Sequence, residues 1–385
     1  MYKHAAAVSL VLLATAVIPG YAAPYMITGN DEKIGVDAQG KPVINPSDND
    51  TVVIFDLATP EDPKVIATLK LENSIAGPPT NLAIAPDNSI ALVADSMTVT
   101  EEGGVRKLVP TNKLFVIDLQ ASPPKLVETV TVGKQPSGLS FSPKGDLALV
   151  ANRADGTISV LKIEGTKVTQ TGSVPISPGV SHVVFTPDGR RALALKSPDN
   201  KVALLDVDGD KVTYNKLDLP TYAFPYNIVV SPDSKLAITA DNGNGGSSDG
   251  SADAISVIDL EGANPHVIAH ITVGDAPEGL AISPKGNLAV VVNVDGSNMK
   301  QAWFHHPKGT VTVLRIDGKT VTPIKTVEVG TFPEAAMFSP DGAYIYVGNF
   351  TDQDFSILKV DGTEVTNTGK RFKAGGHPAS GRMGP

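Results

Sequence analysis

The stretch Ser-Pro-Asp-Gly-Ala-Tyr-Ile-Tyr-Val-Gly-Asn, from Ser339 to Asn349, carries the pattern that decides the fold. A turn with Ser, Thr or Ala before proline is followed, nine residues after the proline, by a polar residue that ends a short apolar run. The anchor proline of this pattern recurs at Pro86, Pro143, Pro187, Pro232, Pro284, Pro340 and Pro385. Spacings of 44 to 57 residues indicate stacked supersecondary units rather than one irregular globule.

Each unit contains several strand-like segments. The polar residues that end the apolar runs are Asn30, Asp95, Asn152, Lys196, Asp241, Asn293 and Asn349. A second apolar signature follows each of them, such as TVVIFDL from Thr51, and such runs are typical of strands in a sheet covered on both faces. A more polar strand comes next, which suits an outer sheet edge. The pattern predicts four strands in each of seven units.

Four-stranded sheets arranged radially around a channel form a β-propeller, so we predict an all-β, seven-bladed β-propeller over residues 23–385. The segment from Tyr25 to Asn30 would be a second strand, and the segment from Gly376 to Pro385 would be a lone first strand. These two ends would complete one shared blade and close the ring, which would place the termini side by side.

Tyr346-Val347-Gly348-Asn349 resembles the YVTN signature, and Ser339 to Gly342 forms the accompanying SPDG turn. On these motifs the chain resembles the YVTN-repeat propellers, which are related to the lactonase-like seven-bladed group. The resemblance covers essentially all of residues 23–385 and implies the fold, but strand and turn residues imply little about activity. The lactonase-like enzymes typically carry a histidine and arginine pair in a Gly-Pro-Arg-His context. The matching positions read Pro136-Ser137-Gly138, Pro225-Tyr226-Asn227 and Pro277-Glu278-Gly279, which argues against lactone hydrolysis.

The first 22 residues are typical of a secretory signal peptide. A basic start precedes an apolar stretch from Ala5 to Ile18, and Gly20 and Ala22 supply the small residues before a cut after Ala22. A retained membrane anchor is the alternative, although the stretch is short for a bilayer. We therefore predict a periplasmic or secreted protein with no integral membrane segment after cleavage.

Composition excludes several classes of function. A net charge of −9 opposes the phosphate-driven affinity of a nucleic-acid binder, so no nucleic-acid partner is expected. The absence of cysteine excludes disulfides, thiolate catalysis and zinc–thiolate sites. The sequence also has no Gly-rich phosphate loop followed by a helix, no nucleophile elbow on a strand-to-helix turn and no H-E-x-x-H motif.

Insertions distinguish one face of the predicted ring from the other. The second and third strands are 5 residues apart in three units, but 21, 18, 13 and 17 residues apart after Asn30, Asp95, Asp241 and Asn293. All four insertions lie on the face where second strands end, which we term the loop face. The Ser-Pro turns lie on the opposite face, the turn face. Long loops on one side of a rigid scaffold commonly carry a binding site.

The loop-face mouth of the channel offers the candidate catalytic residues. Glu278 and Glu334 begin inner strands of adjacent blades, and His377 precedes the proline of the next blade. Two carboxylates and an imidazole in one sector could act as acid and base, or bind a divalent cation whose ligands the sequence does not define. The alternative is that the carboxylates are solvated on an exposed rim.

The ligand-binding candidates lie on the same face of the ring: Ser137, Tyr226, Asn227, Trp303 and His305. Trp303, the only tryptophan, could stack on a ligand, or it could hold its insertion onto its own blade while the histidines are solvated. For His182 a structural role is favoured. The Gly-rich insertion from Asp241 to Asp253 fits a flexible loop better than a calcium loop, because the terminal glutamate is missing.

Complete repeat motifs beside an incomplete catalytic set favour an exported, monomeric binding propeller. Its partner would be a small molecule, a glycan or a protein on the loop face. The alternative is a hydrolase or isomerase of a cyclic ester, with Glu278 or Glu334 as general base, His377 as its partner and a cation polarising the carbonyl. A third hypothesis is a structural surface protein that self-associates through its outer strands. The sequence leaves open whether the protein is an enzyme.

Overall fold

The computed structural model describes residues 25–36, 42–73 and 77–384. These residues form seven four-stranded antiparallel sheets and one two-stranded ribbon, with no α-helix in the described part of the chain. The predicted seven-bladed, all-β propeller is therefore confirmed. The predicted signal peptide lies outside the described residues.

The strands are numbered β1 to β30 along the chain, and each blade has four of them, counted from the channel outwards. The innermost strands of blades 1 to 7 are β30 (Pro378–Met383), β6 (Leu82–Ile84), β10 (Pro136–Phe141), β14 (Val180–Phe185), β18 (Pro225–Val230), β22 (Pro277–Ile282) and β26 (Pro333–Phe338). The second strands are β1 (Tyr25–Asn30), β7 (Ile90–Glu102), β11 (Leu147–Asn152), β15 (Arg191–Lys196), β19 (Leu236–Asp241), β23 (Leu288–Asn293) and β27 (Tyr344–Asn349).

The third strands are β4 (Thr51–Asp56), β8 (Val105–Asp118), β12 (Thr157–Glu164), β16 (Lys201–Asp208), β20 (Ala254–Asp259), β24 (Thr310–Asp317) and β28 (Asp354–Asp361). The outermost strands are β5 (Lys64–Lys70), β9 (Lys125–Thr131), β13 (Lys167–Pro175), β17 (Lys211–Pro220), β21 (His266–Thr272), β25 (Thr320–Glu328) and β29 (Glu364–Lys373). The remaining elements are the ribbon strands β2 (Ile34–Val36) and β3 (Pro42–Ile44) and the 3-10 helices Ser47–Asn49 and Ser197–Asp199.

The two ends of the described chain meet in blade 1. The last strand, β30, pairs antiparallel with β1, so that Met26 lies opposite Met383, and the Gly384 amide donates to the Tyr25 carbonyl at 2.8 Å. Each innermost strand also contacts the innermost strand of the next blade, all the way round the ring. The predicted closure by the N- and C-terminal segments is confirmed.

The core lies between neighbouring blades. Every residue of β11, β19 and β23 is buried, as expected for strands covered on both faces, whereas the outermost β21 alternates between exposed and half-buried side chains. One apolar cluster joins Leu149 of blade 3 to Val183 and Ala194 of blade 4. Packing between blades, rather than within one sheet, therefore provides most of the apolar burial that stabilises the ring.

The repeated turn residues fix the turn face. In four blades the serine before the anchor proline accepts a hydrogen bond, through its Oγ, from the amide that begins the second strand. These pairs are Ser142 with Leu147, Ser231 with Leu236, Ser283 with Leu288 and Ser339 with Tyr344. The closing glycines, such as Gly342 at φ +69°, adopt a left-handed conformation that favours glycine.

The buried asparagines at the ends of second strands fix the loop face. The side-chain amide of Asn349 donates to Asp354 Oδ1 at 2.8 Å and to Ser356 Oγ at 3.0 Å in the third strand. Its Oδ1 accepts from the Gly330 amide at 2.9 Å. This explains the recurrence of asparagine, because one side chain satisfies polar groups from two other segments of chain.

The four insertions form two neighbouring pairs on the loop face, as predicted. Those of blades 1 and 2 meet where Arg106 donates to the Ile44 carbonyl at 3.4 Å, and those of blades 5 and 6 meet where the Gly296 amide donates to Ser248 Oγ at 2.9 Å. The blade 1 insertion is anchored by Lys33, which is fully buried and paired with Asp50. No helix in the described part of the chain is long and apolar enough to cross a bilayer.

Because the described ends are paired, we expect a circular permutant to fold. In this variant a short linker joins Gly384 to Tyr25, and new termini open at the exposed turn between Lys144 and Gly145, so that β10 closes the ring by pairing with β11. Circular dichroism should show one cooperative thermal transition within about 10 °C of the parent midpoint. A control permutant opened inside buried β11, between Leu149 and Val150, should not fold. Equal behaviour of the two permutants would contradict the closure.

Candidate functional site

A ring of seven equivalent residues surrounds the loop-face mouth of the channel. Each blade contributes one residue, which directly follows the point where the chain enters the innermost strand. All seven are at most 9% exposed: Thr80, Ser137, Ser181, Tyr226, Glu278, Glu334 and Ala379. In blades 3 to 7 the pairing of inner and second strands is interrupted at this point, as where the ladder passes from Pro277 directly to Leu280. Such bulges release side chains from the regular alternation. We term the seven residues the entrance ring.

Glu278 and Glu334 are buried side by side in this ring. Each is 3% exposed, so the interpretation that they are solvated on a rim is wrong. Asn242 donates to Glu278 Oε1 at 3.2 Å, while Glu278 Oε2 has no hydrogen-bond partner among the described residues. Burial raises the pKa of Glu278 to about 8, and burial together with the charge of Glu278 raises the pKa of Glu334 well above its usual value.

Tyr226 belongs to the same sector. Burial, followed by the negative charge of Glu278, raises the pKa of its hydroxyl, and Arg153 acts in the opposite direction. The ring of Phe224 stacks on Tyr226 with centroids 6.2 Å apart. Arg153 follows directly after the end of β11, where the sequence pattern predicts only a short connection, so the sequence interpretation missed it.

Two predicted ligand-binding residues have structural partners. Asn227 donates from Nδ2 to the Glu278 carbonyl at 3.3 Å and accepts from the Ile228 amide at 2.8 Å. Ser137 is 1% exposed and packs on Gly77, where a Cβ would come within 2.5 Å of the serine Oγ. Asn227 thus links blade 5 to the backbone that carries Glu278.

The hydrogen-bond partners of His377 are residues other than Glu278 and Glu334. Its Nδ1 lies 2.6 Å from Glu32 Oε2, its Nε2 lies 3.0 Å from the Gln353 side chain, and its ring lies 4.9 Å from that of Phe350. Burial opposes ionisation of Glu32, but hydrogen bonds from His377 more than offset it and lower the pKa of Glu32. Within the described chain, His377 makes no hydrogen bond to Glu278 or Glu334, so its hydrogen bonds do not link it to the two predicted carboxyl groups.

The blade 6 insertion presents its tryptophan to solvent. Trp303 is 89% exposed, and its ring lies edge-on to that of Phe304 with centroids 5.5 Å apart, so the interpretation that it pins the loop is wrong. Phe304 does this instead, packing where Cβ atoms at Gly250 and Gly296 would lie 2.8 Å from its side chain. His305 Nδ1 lies 3.1 Å from the Gly296 carbonyl of its own insertion.

The Gly-rich insertion of blade 5 contacts Glu278 and lies near Tyr226. Its first residue, Asn242, bonds Glu278, and the insertion is further held where the Gly250 amide donates to Asp275 at 2.9 Å. A Cβ at Gly246 would lie 3.8 Å from the Tyr226 hydroxyl. Across the described ranges, no three His, Asp or Glu side chains converge as metal ligands would. The structure therefore defines no residue set for the divalent cation.

The turn-face end of the channel is different, and sequence interpretation overlooked it. A cavity of about 600 Å³ opens there, lined by the inner strands and anchor prolines, with His182 and Arg382 among its walls. None of the predicted site residues lines it. Arg382 was missed because it lies in the glycine-rich last strand, the weakest of the predicted strands.

Comparison with family models and with curated proteins gave one partial match. A family model described as "Choice-of-anchor I domain" matches residues 32–182, which is less than half of the chain. A search of curated proteins gave no significant match.

Solved structures match the whole propeller at low sequence identity. A putative 6-phosphogluconolactonase from Bacteroides fragilis is 16% identical with a TM-score of 0.70, covering 95% of this chain and 99% of that one. A periplasmic gluconolactonase from Pseudomonas aeruginosa is 18% identical with a TM-score of 0.69, covering 94% and 99%. A functionally unknown protein from Desulfotomaculum acetoxidans is 14% identical with a TM-score of 0.68, covering 94% and 98%. At such identities the likeness shows the fold alone, and it confirms the resemblance to lactonase-like seven-bladed propellers.

Proposed function

We propose that this protein binds a small, hydroxyl-rich molecule such as a sugar at the loop-face mouth of its channel, on Glu278 and Glu334. The observation that carries the proposal is the burial of two neighbouring carboxyl groups at positions where the fold requires none. The other five members of the entrance ring are uncharged: Thr80, Ser137, Ser181, Tyr226 and Ala379.

The sevenfold repeat supplies an internal comparison for this site. Five blades fold with a neutral residue at the entrance, so an acidic residue is not needed for the bulge, the proline or the strand. Burying a carboxylate away from water costs stability, and a second one close by raises that cost. A costly feature that the fold does not need is best explained by function.

The chemistry of the pair suits hydroxyl groups. With a pKa of about 8, Glu278 is mostly protonated at neutral pH and can donate a hydrogen bond as well as accept one. Its Oε2 has no partner among the described residues, and the Tyr226 hydroxyl borders the same space. A polyol would satisfy these groups without carrying a charge into the channel.

The surrounding insertions provide access and contact area. A ligand would reach Glu278 by displacing Asn242, whose insertion contains Gly243, Gly245, Gly246 and Gly250 at positive φ. Trp303, exposed on the neighbouring insertion, presents a flat apolar face of the kind that stacks on sugar rings. The small-molecule and glycan partners predicted from the sequence therefore remain the favoured ones.

One observation favours hydrolysis of a cyclic ester as the second candidate function. A carboxyl group with a pKa of about 8 beside a second carboxyl is suited to proton transfer near neutral pH. One structural neighbour is named a putative 6-phosphogluconolactonase and another a periplasmic gluconolactonase, and a gluconolactone is itself a hydroxyl-rich cyclic ester. Because His377 is bonded to Glu32, the two glutamates would have to serve as acid and base.

Substitution of both glutamates should weaken ligand binding. We expect thermal-shift or calorimetric titration with a panel of monosaccharides, oligosaccharides and aldonolactones to identify a ligand, and Glu278→Gln/Glu334→Gln to weaken it at least tenfold. Glu164→Gln is the matched control, because Glu164 is exposed and paired with Lys162 on β12. Unchanged affinity in the double variant would place the site elsewhere.

The same panel separates binding from catalysis. Turnover of a lactone that disappears in the double variant supports the hydrolase, whereas binding without turnover supports the binding protein. A parallel series with chelator tests the divalent cation.

The carboxyl pair should also make stability depend on pH. The pKa of Glu278 is raised from 4.5 to about 8 in the folded state, so the folded chain holds a proton that the unfolded chain has released. Stability therefore falls as pH rises through this window. Glu278→Gln should raise the melting temperature by a few degrees at pH 8–9 and leave it unchanged at pH 4. Superimposable pH profiles for variant and wild type would contradict the buried state of Glu278.

Export to the periplasm or medium is part of the proposal and rests on residues 1–22. We expect the protein expressed with these residues to be recovered outside the cytoplasm, with a mass that corresponds to cleavage after Ala22. A variant with Leu10→Arg and Leu13→Arg interrupts the apolar stretch and should retain the protein, uncleaved, inside the cell. Recovery of full-length protein in the membrane fraction would favour the retained anchor instead.

A further inference from the structure

The cavity on the turn face has the size and walls of a ligand site. Its volume of about 600 Å³ lies within the range of small-molecule pockets, roughly 300–1,000 Å³. The wall is mainly apolar and is contributed by all seven innermost strands, with Phe141, Phe185, Phe338 and Met383 among its residues. We term this cavity the funnel.

Arg382 is the only Lys, Arg, Asp or Glu among the residues that line the funnel. It is partly exposed, and its Nη1 donates to the Gly381 carbonyl at 3.2 Å. No carboxylate in the described ranges pairs with it, and burial lowers its pKa to about 10. A guanidinium that is half removed from water and lacks a counter-charge creates a strong preference for an anion.

His182 supplies a second polar group to the same wall. It is 2% exposed, and its Nδ1 has no hydrogen-bond partner among the described residues. The ring packs on Gly138, where a Cβ would come within 2.5 Å of Cδ2. Burial, and then the nearby positive charge of Arg382, lower the pKa of His182, so the imidazole is neutral. A neutral imidazole can donate one hydrogen bond to an anion already paired with the arginine.

The repeat shows that the fold does not need this arginine. Arg382 lies opposite Ile27, three residues before the end of its second strand. The residues at the same register in the other six blades are Ala83, Ser140, Val184, Val229, Ala281 and Met337. One cation among six small or apolar equivalents is therefore a local departure from the repeat. It lines the same cavity as His182, whose Nδ1 has no hydrogen-bond partner among the described residues.

We propose that the funnel is a second binding site, separate from the loop-face site, that takes an amphipathic monocarboxylate. Its carboxylate pairs with Arg382 and accepts a hydrogen bond from His182, and its hydrocarbon part lies against the phenylalanines and prolines. The exposed Asp188, Asp233 and Asp341 near the rim are bonded within their own turns. Dissolved salt screens the charges of these exposed carboxylates over about 8–10 Å, so they do not cancel the attraction of an anion to Arg382 inside the funnel.

Isothermal titration with octanoate and with octan-1-ol tests the proposal, because the two probes share a chain and differ in charge. Octanoate should bind the wild-type protein at least tenfold more tightly than octan-1-ol. Arg382→Met should weaken octanoate about ten- to a hundredfold and leave octan-1-ol within threefold of wild type. Arg382→Lys should retain part of the preference, because it keeps the charge but not the planar fork.

Two further variants control for location and folding. Arg315→Met removes an exposed arginine from β24 and should change neither affinity. Ala281→Phe narrows the funnel while keeping Arg382 in the sequence and should weaken both probes, and the melting temperature of each variant reports whether it is folded. The proposal is overturned if neither probe binds, if both bind equally, or if octanoate still binds Arg382→Met or Ala281→Phe with wild-type affinity.

Discussion

The pairing of β30 with β1 is the constraint on which the rest of the structure depends. Because the last strand of the chain completes the first blade, all seven sheets have four strands, and the seven inner strands enclose one channel. Closure also fixes direction, since every inner strand starts at the loop face and ends at the turn face. Residues at equal distances from the repeated prolines therefore occupy equal depths in the channel.

Because of this regularity, each side chain in the channel can be compared with the equivalent side chains of the other six blades. At the depth of the entrance ring, five neutral residues show what the fold accepts, and Glu278 and Glu334 depart from it. Near the other end, the residues at the register of Arg382 in the other six blades are small or apolar, and Arg382 alone is charged. The channel thus carries two buried acidic groups at one mouth and, at the other, a cation that no carboxylate of the described residues pairs with. Each burial lowers the stability of the empty protein, which is the usual consequence of organising a site before its ligand arrives.

The sequence was sufficient for the fold because the fold depends on local signals. Serine–proline turns, strand-ending asparagines and apolar runs each act within about ten residues, and their recurrence gave the blade count, the closure and the face of the insertions. The site was less predictable because it depends on contacts between distant segments. His377 is bonded to Glu32, 345 residues earlier in the chain, and no local pattern indicates that pair.

Burial was the property hardest to derive from the sequence. Glutamate is usually exposed and tryptophan usually buried, yet Glu278 is 3% and Trp303 89% exposed. The insertions take part in both reversals. Asn242 of the blade 5 insertion bonds Glu278, and in the blade 6 insertion Phe304, not Trp303, fills the space beside Gly250 and Gly296. A costly carboxyl pair in contact with a glycine-rich insertion, with an aromatic face left in solvent on the neighbouring insertion, fits recognition better than scaffolding. A scaffold would gain stability from neutral residues at the mouth and from a buried tryptophan.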